Sequence, residues 1–164
     1  MDKLWIVVCN HTNARIFERT RPRRIRPGRS RPGLERVDTL LHPQGRLHTG
    51  DLVSDRQGRV FGREFRRHGL SSTVSPTEHD AEQFAIEIAH RLDHGRTQGD
   101  FGRLIVVASP EMLGLLREHL SGATRKTIVA SLDKNVAGMG DRELAPYLSP
   151  HIGEAERDVR LYGT

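Results

Sequence analysis

The residues of this chain best suited to chemistry are arginines, gathered into two segments punctuated by glycine and proline. In the first, Arg19, Arg21, Arg23, Arg24, Arg26, Arg29 and Arg31 are interleaved with Pro22, Pro27, Gly28, Pro32 and Gly33. In the second, Arg56, Arg59, Arg63, Arg66 and Arg67 accompany Gly58, Gly62 and Gly69. A guanidinium stays charged and presents a planar fork of donors that matches a phosphate, so the natural partner is a polyanion. Gln57 both donates and accepts, and Gly58 lets backbone come close to a ligand. The candidate nucleic-acid-binding set is therefore Arg56, Gln57, Gly58, Arg59, Arg63, Arg66 and Arg67, with Arg21, Arg23, Arg24 and Arg26. The composition resists helix and sheet alike, so both segments are expected to be loops, over 19–33 and 42–74. Sequence alone leaves open a second reading: hydrated loops that keep a basic protein soluble, with Val53, Val60 and Phe61 tacking the second loop to the sheet.

Other chemistries find less. A two-metal nuclease needs carboxylates converging on hard cations, one of them from the first strand, and here that strand ends Val8-Cys9-Asn10. Glu87, His90 and His94 share one face of an amphipathic helix, and the two histidines have the i,i+4 spacing of a metal pair. Arg91 stands where a zincin-type sequence needs its glutamate, and a polar outer face accounts for all three residues. Cys9 has no identifiable base, no serine sits in a Gly-x-Ser-x-Gly elbow, and no glycine pattern makes a nucleotide cradle. The expectation is a protein without catalytic residues, metal or cofactor. A metal-dependent or peptidyl-tRNA hydrolase is the enzymatic alternative.

The chain has 164 residues and a formal charge of +5, which suits one domain with a core of its own and an anionic partner. RNA or the ribosome fits that charge, as do acidic polysaccharide and an anionic membrane surface. The lone cysteine lies in an apolar run, no segment is long enough to cross a bilayer, and Met1-Asp2-Lys3-Leu4 leads straight into a strand. A cytoplasmic address is expected.

Positioning these residues falls to a regular α/β pattern. Leu4–Cys9 reads as a strand buried on both faces, Asn10–Asn13 as a turn, Ala14–Glu18 as a second strand and Leu34–Leu40 as a third whose apolar residues do not alternate cleanly. Ser75, Pro76 and Glu78 are the start signals of a helix whose stripe is Ala81, Phe84, Ala85, Ile88 and Leu92, with Gly95 as its stop. Leu104–Ala108 is a strand, Ser109-Pro110 opens a helix to His119, and Ile128–Leu132 is the last strand. Asp141 caps a helical turn that Pro146 keeps short. The order is βββ-α-β-α-β-α, a mixed sheet with helices on its faces, of the ribonuclease H-like kind.

A set of segments in this order also carries a family resemblance. They are Trp5-Ile6-Val7-Val8, Asn13-Ala14-Arg15-Ile16-Phe17, His42-Pro43, Asp51-Leu52-Val53-Ser54-Asp55-Arg56 with Gly58-Arg59, and Glu78-His79-Asp80-Ala81-Glu82-Gln83-Phe84-Ala85. Further along come Leu104–Pro110, Leu113-Gly114-Leu115-Leu116-Arg117 and Asp133-Lys134-Asn135. Together they resemble the bacterial host attachment proteins over nearly the whole chain. That family is in turn similar to the central domain of class 1 peptide-chain release factors and of Pelota. The resemblance implies a ribonuclease H-like fold without nuclease chemistry and a basic loop suited to an RNA-lined cavity. Release factors carry Gly-Gly-Gln there, whereas this chain has Gln57-Gly58-Arg59 and no Gly-Gly-Gln. The arginine insertion at 19–31 is longer and more basic than the family pattern.

Overall fold

The computed structural model describes residues 3–31, 33–42 and 76–162. Its frame is a five-stranded mixed sheet built from β1 (Leu4–Cys9), β2 (Asn13–Arg19), β5 (Leu34–Leu41), β6 (Arg103–Ala108) and β7 (Ile128–Asp133), in the order β5-β2-β1-β6-β7. β1 pairs antiparallel with β2 and parallel with β6, β2 pairs antiparallel with β5, and β6 pairs parallel with β7. The central run Leu4–Cys9 is apolar throughout because both of its faces are covered. Trp5, Val7 and Cys9 join a core with helices α1 (Pro76–Gln98) and α2 (Pro110–His119). Leu4, Ile6 and Val8 join a second core with Leu144, Leu148, Ile152 and Ala155 of helix α4 (Asp141–Tyr162). The period of two in each strand divides one sequence between two cores.

β5 explains its broken alternation. Ile16 faces Asp38 and Phe17 faces Arg36, so Val37 is the extra residue of a bulge and stands exposed. Residues 43–75, with the helix start signal at Ser75, lie outside the described residues.

Three expectations are corrected. The first arginine segment is not a loop: β3 (Arg23–Arg26) and β4 (Arg29–Arg31) pair antiparallel as a two-stranded ribbon. Pro22 and Pro27 fall outside the strands, where they remove no ladder donor. Pro27 and Gly28 form the turn, with Gly28 at φ 82° in the left-handed region that only glycine enters freely. The ribbon's root is closed by the Thr20 amide donating to the Gly33 carbonyl at 2.7 Å.

The second concerns Gly95, which does not end α1. The helix continues to Gln98, and Gly99 at φ 77° terminates it, with the Gly99 amide donating to the Arg96 carbonyl and the Asp100 amide to the Gly95 carbonyl. Gly95 is glycine for a packing reason: a Cβ there would lie 2.7 Å from the Trp5 ring.

The third concerns Pro146, which does not shorten the last helix. α4 runs 22 residues through Pro146 and Pro150. Both prolines are on the exposed side, where water satisfies the freed carbonyls, and the buried stripe of Leu144, Leu148, Ile152 and Ala155 offsets the lost bonds. A short helix, α3 (Gly122–Arg125), capped by Ser121, joins α2 to β7 and had no sequence counterpart.

Candidate functional site

Every connection at one end of the sheet carries polar residues. There the carboxyl ends of β1, β5, β6 and β7 stand with the start of β2, and four of the segments noted above meet: Asn13-Ala14-Arg15, His42, Ser109-Pro110 and Asp133-Lys134-Asn135. Asn10 holds the β1–β2 turn, its Oδ1 accepting from the amides of Thr12 and Asn13 at 2.9 and 2.8 Å. Ser109 caps α2 by accepting from the Met112 amide, and the Lys134 amide donates to the Ala108 carbonyl at 3.1 Å. His11 lies 3.4 Å from Glu111 across the surface.

The most extensively hydrogen-bonded side-chain group at this end, among the described residues, is an arginine latch. Arg15, 8% exposed, donates through Nη1 to Asp141 Oδ1 at 2.7 Å and through Nη2 to the carbonyls of Ala137 and Met139 at 2.8 and 2.6 Å. Arg36 donates through Nε to Asp141 Oδ2 at 2.8 Å. These arginines, Arg36 foremost, hold the Asp141 carboxyl below the usual carboxylate range. β2, β5, the β7–α4 connection and the first turn of α4 are thereby tied together. The sequence reading missed this latch; its one signal was a lone arginine inside the apolar run Ala14-Arg15-Ile16-Phe17.

His42 was also missed. Its ring is buried and stacked on Phe84 at 5.2 Å, Nδ1 lies 4.0 Å from Glu87, and Nε2 has no hydrogen-bond partner among the described residues. His90 and His94 are exposed on the outer face of α1. Among the described residues no group of three or more His, Cys, Asp and Glu is placed to hold a metal ion. Burial pushes the Cys9 thiol up to about 12, so it holds its proton and packs as a small apolar side chain. Asp141 is engaged by two cations and is no general base.

The arginines of the candidate binding set divide. Arg21, Arg24 and Arg26 are exposed on the ribbon, and Arg23 occupies β3 opposite Arg31. The ribbon leaves β2 at Arg19 and returns to β5 at Leu34, so it projects from the end of the sheet opposite the latch and His42. Arg19 itself reaches Glu156 of α4 at 3.5 Å. Arg56, Gln57, Gly58, Arg59, Arg63, Arg66 and Arg67 lie outside the described residues.

No helix among the described residues is long and apolar enough to cross a membrane. No curated protein matches the chain. The family model described as "Protein required for attachment to host cells" matches residues 5–148, from the first core strand to the buried stripe of α4, and the chain belongs to that family.

Proposed function

We propose that this member of the family is a binding protein without catalysis, which takes RNA, free or within the ribosome, through its arginine-rich segments in the cytoplasm. The observation that carries the reading is the exposure of Arg21, Arg24 and Arg26 on a ribbon whose sequence holds no carboxylate between Glu18 and Glu35. Arg21, Arg24 and Arg26 have no ion-pair partner among the described residues, and exposed cations of this kind can neutralise a phosphate backbone. Supporting the non-catalytic half are the arginine-bound state of Asp141 and the protonated Cys9. The sheet order, with β2 antiparallel to its neighbours, supports a ribonuclease H-like frame related to the central domain of release factors. Peptide release is not part of the reading, since Gly-Gly-Gln is absent. Any part in attachment is then indirect.

Co-sedimentation with ribosomes and with total RNA across a salt series tests this. The wild-type protein is expected to pellet with ribosomes near physiological salt. A variant with Arg56, Arg59, Arg63, Arg66 and Arg67 all changed to alanine should release earlier, its melting transition nearly unchanged. Release at modest salt with equal affinity for heparin would overturn the proposal. The family's description favours a second reading, direct adhesion to acidic polysaccharide or anionic lipid. Recovery of the protein from the envelope or external fraction rather than the cytosol would choose it.

A further inference from the structure

The β3–β4 ribbon is built to be unstable alone, in three independent ways. Its strands have four and three residues and pair only with each other, below what an isolated hairpin needs in water. Its register sets Arg23 opposite Arg31 and Arg26 opposite Arg29, with Arg24 opposite Ser30, so two of the three registered positions along the backbone hold arginine against arginine, a pairing that disfavours a ladder. Its turn is Pro27-Gly28 with only Gly28 at positive φ, the type II arrangement whose twist opposes that of a two-residue hairpin. What the ribbon lacks is negative charge. It also has no aromatic residue from Thr20 to Gly33, and hence no platform for stacking unpaired bases.

We infer that the β3–β4 ribbon is the element that takes the phosphate backbone of double-helical RNA, and that it becomes fully ordered only on that backbone. The inference rests on the RNA reading above. Phosphates bound along the ribbon neutralise the arginines that the register sets opposite one another. An A-form helix presents its phosphates and 2′-hydroxyls along a wide, shallow minor groove, a surface read by shape without stacking. A single strand offers the same charge without fixed spacing.

The test uses the full chain with a labelled RNA duplex and a single-stranded RNA of equal phosphate number, followed by fluorescence anisotropy across salt, with hydrogen exchange on free and bound protein. The duplex is expected to bind more tightly and to slow exchange of the amides of 23–31. A variant carrying Arg21→Gln, Arg24→Gln and Arg26→Gln should lower the duplex salt slope by about 2.7, at roughly 0.9 per phosphate released. Gly28→Val separates shape from charge. It forces a branched residue into the left-handed region, at a position where an added Cβ meets no atom within 4 Å, so it disturbs the ribbon's turn without altering charge or core. It should weaken duplex binding and leave single-strand binding unchanged. Equal affinity for duplex and single strand, or a Gly28→Val protein that keeps full duplex affinity, overturns the ribbon assignment while the RNA reading stands. Failure of the wild-type protein to bind either RNA overturns both.

Discussion

Asp141 shows how one carboxylate can organise an end of the sheet. Its two oxygens are shared between Arg15, which is nearly buried, and Arg36, which is half exposed. A buried guanidinium that loses its anion keeps the desolvation cost without the attraction, so the pair is worth most where Arg15 sits deepest. Asp141→Asn keeps the shape and removes the charge. It should lower stability at neutral pH by about 1–2 kcal/mol, the lower part of the range for hydrogen bonds to charged groups because Asp141 is partly solvated. The carboxyl's folded pKa is depressed, so its contribution is full above the unfolded value of about 3.9 and is lost as pH falls through the lower folded value. Asp38, held down by Arg91 at 2.6 Å, adds a contribution of the same sign. The wild-type and Asp141→Asn stabilities should therefore converge as pH is lowered below about 4, measured by urea denaturation with the fluorescence of the sole tryptophan, Trp5. Curves that stay parallel into acid would show that the latch contributes nothing through charge.

At the scale of elements, Gly95 sets helix propensity against packing. Propensity alone says that alanine in a helix interior gains about 1 kcal/mol over glycine. The added Cβ, however, would sit 2.7 and 2.9 Å from two atoms of the Trp5 ring. That ring is stacked on Phe101 at 4.7 Å and lies under the Arg91 guanidinium at 5.2 Å, so it has nowhere to move. Gly95→Ala should destabilise the protein by about 1–3 kcal/mol in chemical denaturation, the usual range for overpacking; a gain in stability would mean that α1 can lift from β1. The same contrast explains what sequence could reveal. β1, β6 and α2 were legible because a continuous apolar run and a Ser-Pro cap each dictate structure within a few residues. The end of α1 was misplaced because a glycine selected by Trp5, 90 positions away, looks like a helix stop. α4 was cut short because the proline rule is local, whereas the buried stripe that overrides it exists only against the sheet. The ribbon was hidden by composition, although Pro22 and Pro27 sit at positions a hairpin leaves free. At the candidate site, the exposed arginines were legible as charge, whereas Arg15 and His42 acquire meaning only from Asp141 and Phe84, distant in sequence.

At the scale of the whole molecule, the latch and the exposed arginines of the ribbon stand at opposite ends of the sheet among the described residues. β1 and β6 lie between two cores, and the latch ties the carboxyl end of the sheet to α4. The ribbon projects beyond the other end, separated from His42 by the length of β5, roughly 23–26 Å at 3.3 Å per residue. That is about three times the Debye length of about 8 Å at physiological salt, so among the described residues the latch and the ribbon do not relieve each other's charge. The latch therefore cannot stabilise the ribbon electrostatically, and the ribbon's repulsion does not strain the core. Hydrogen exchange of the free protein should reveal this division. Amides of β1 and β6 open only with global unfolding and should be the slowest, with opening free energies on the order of 5–15 kcal/mol. Amides of 23–31 should exchange near the unprotected rate, because only three registered pairs and the Thr20–Gly33 hydrogen bond at the root close the ribbon. Raising the salt concentration should slow exchange in the ribbon alone, since screening relieves the positions at which the register sets arginine opposite arginine while leaving the core strands untouched. A free ribbon protected like β1, or insensitive to salt, would mean that arginine opposite arginine costs it nothing, and the physical reason for its proposed dependence on a polyanion would be gone.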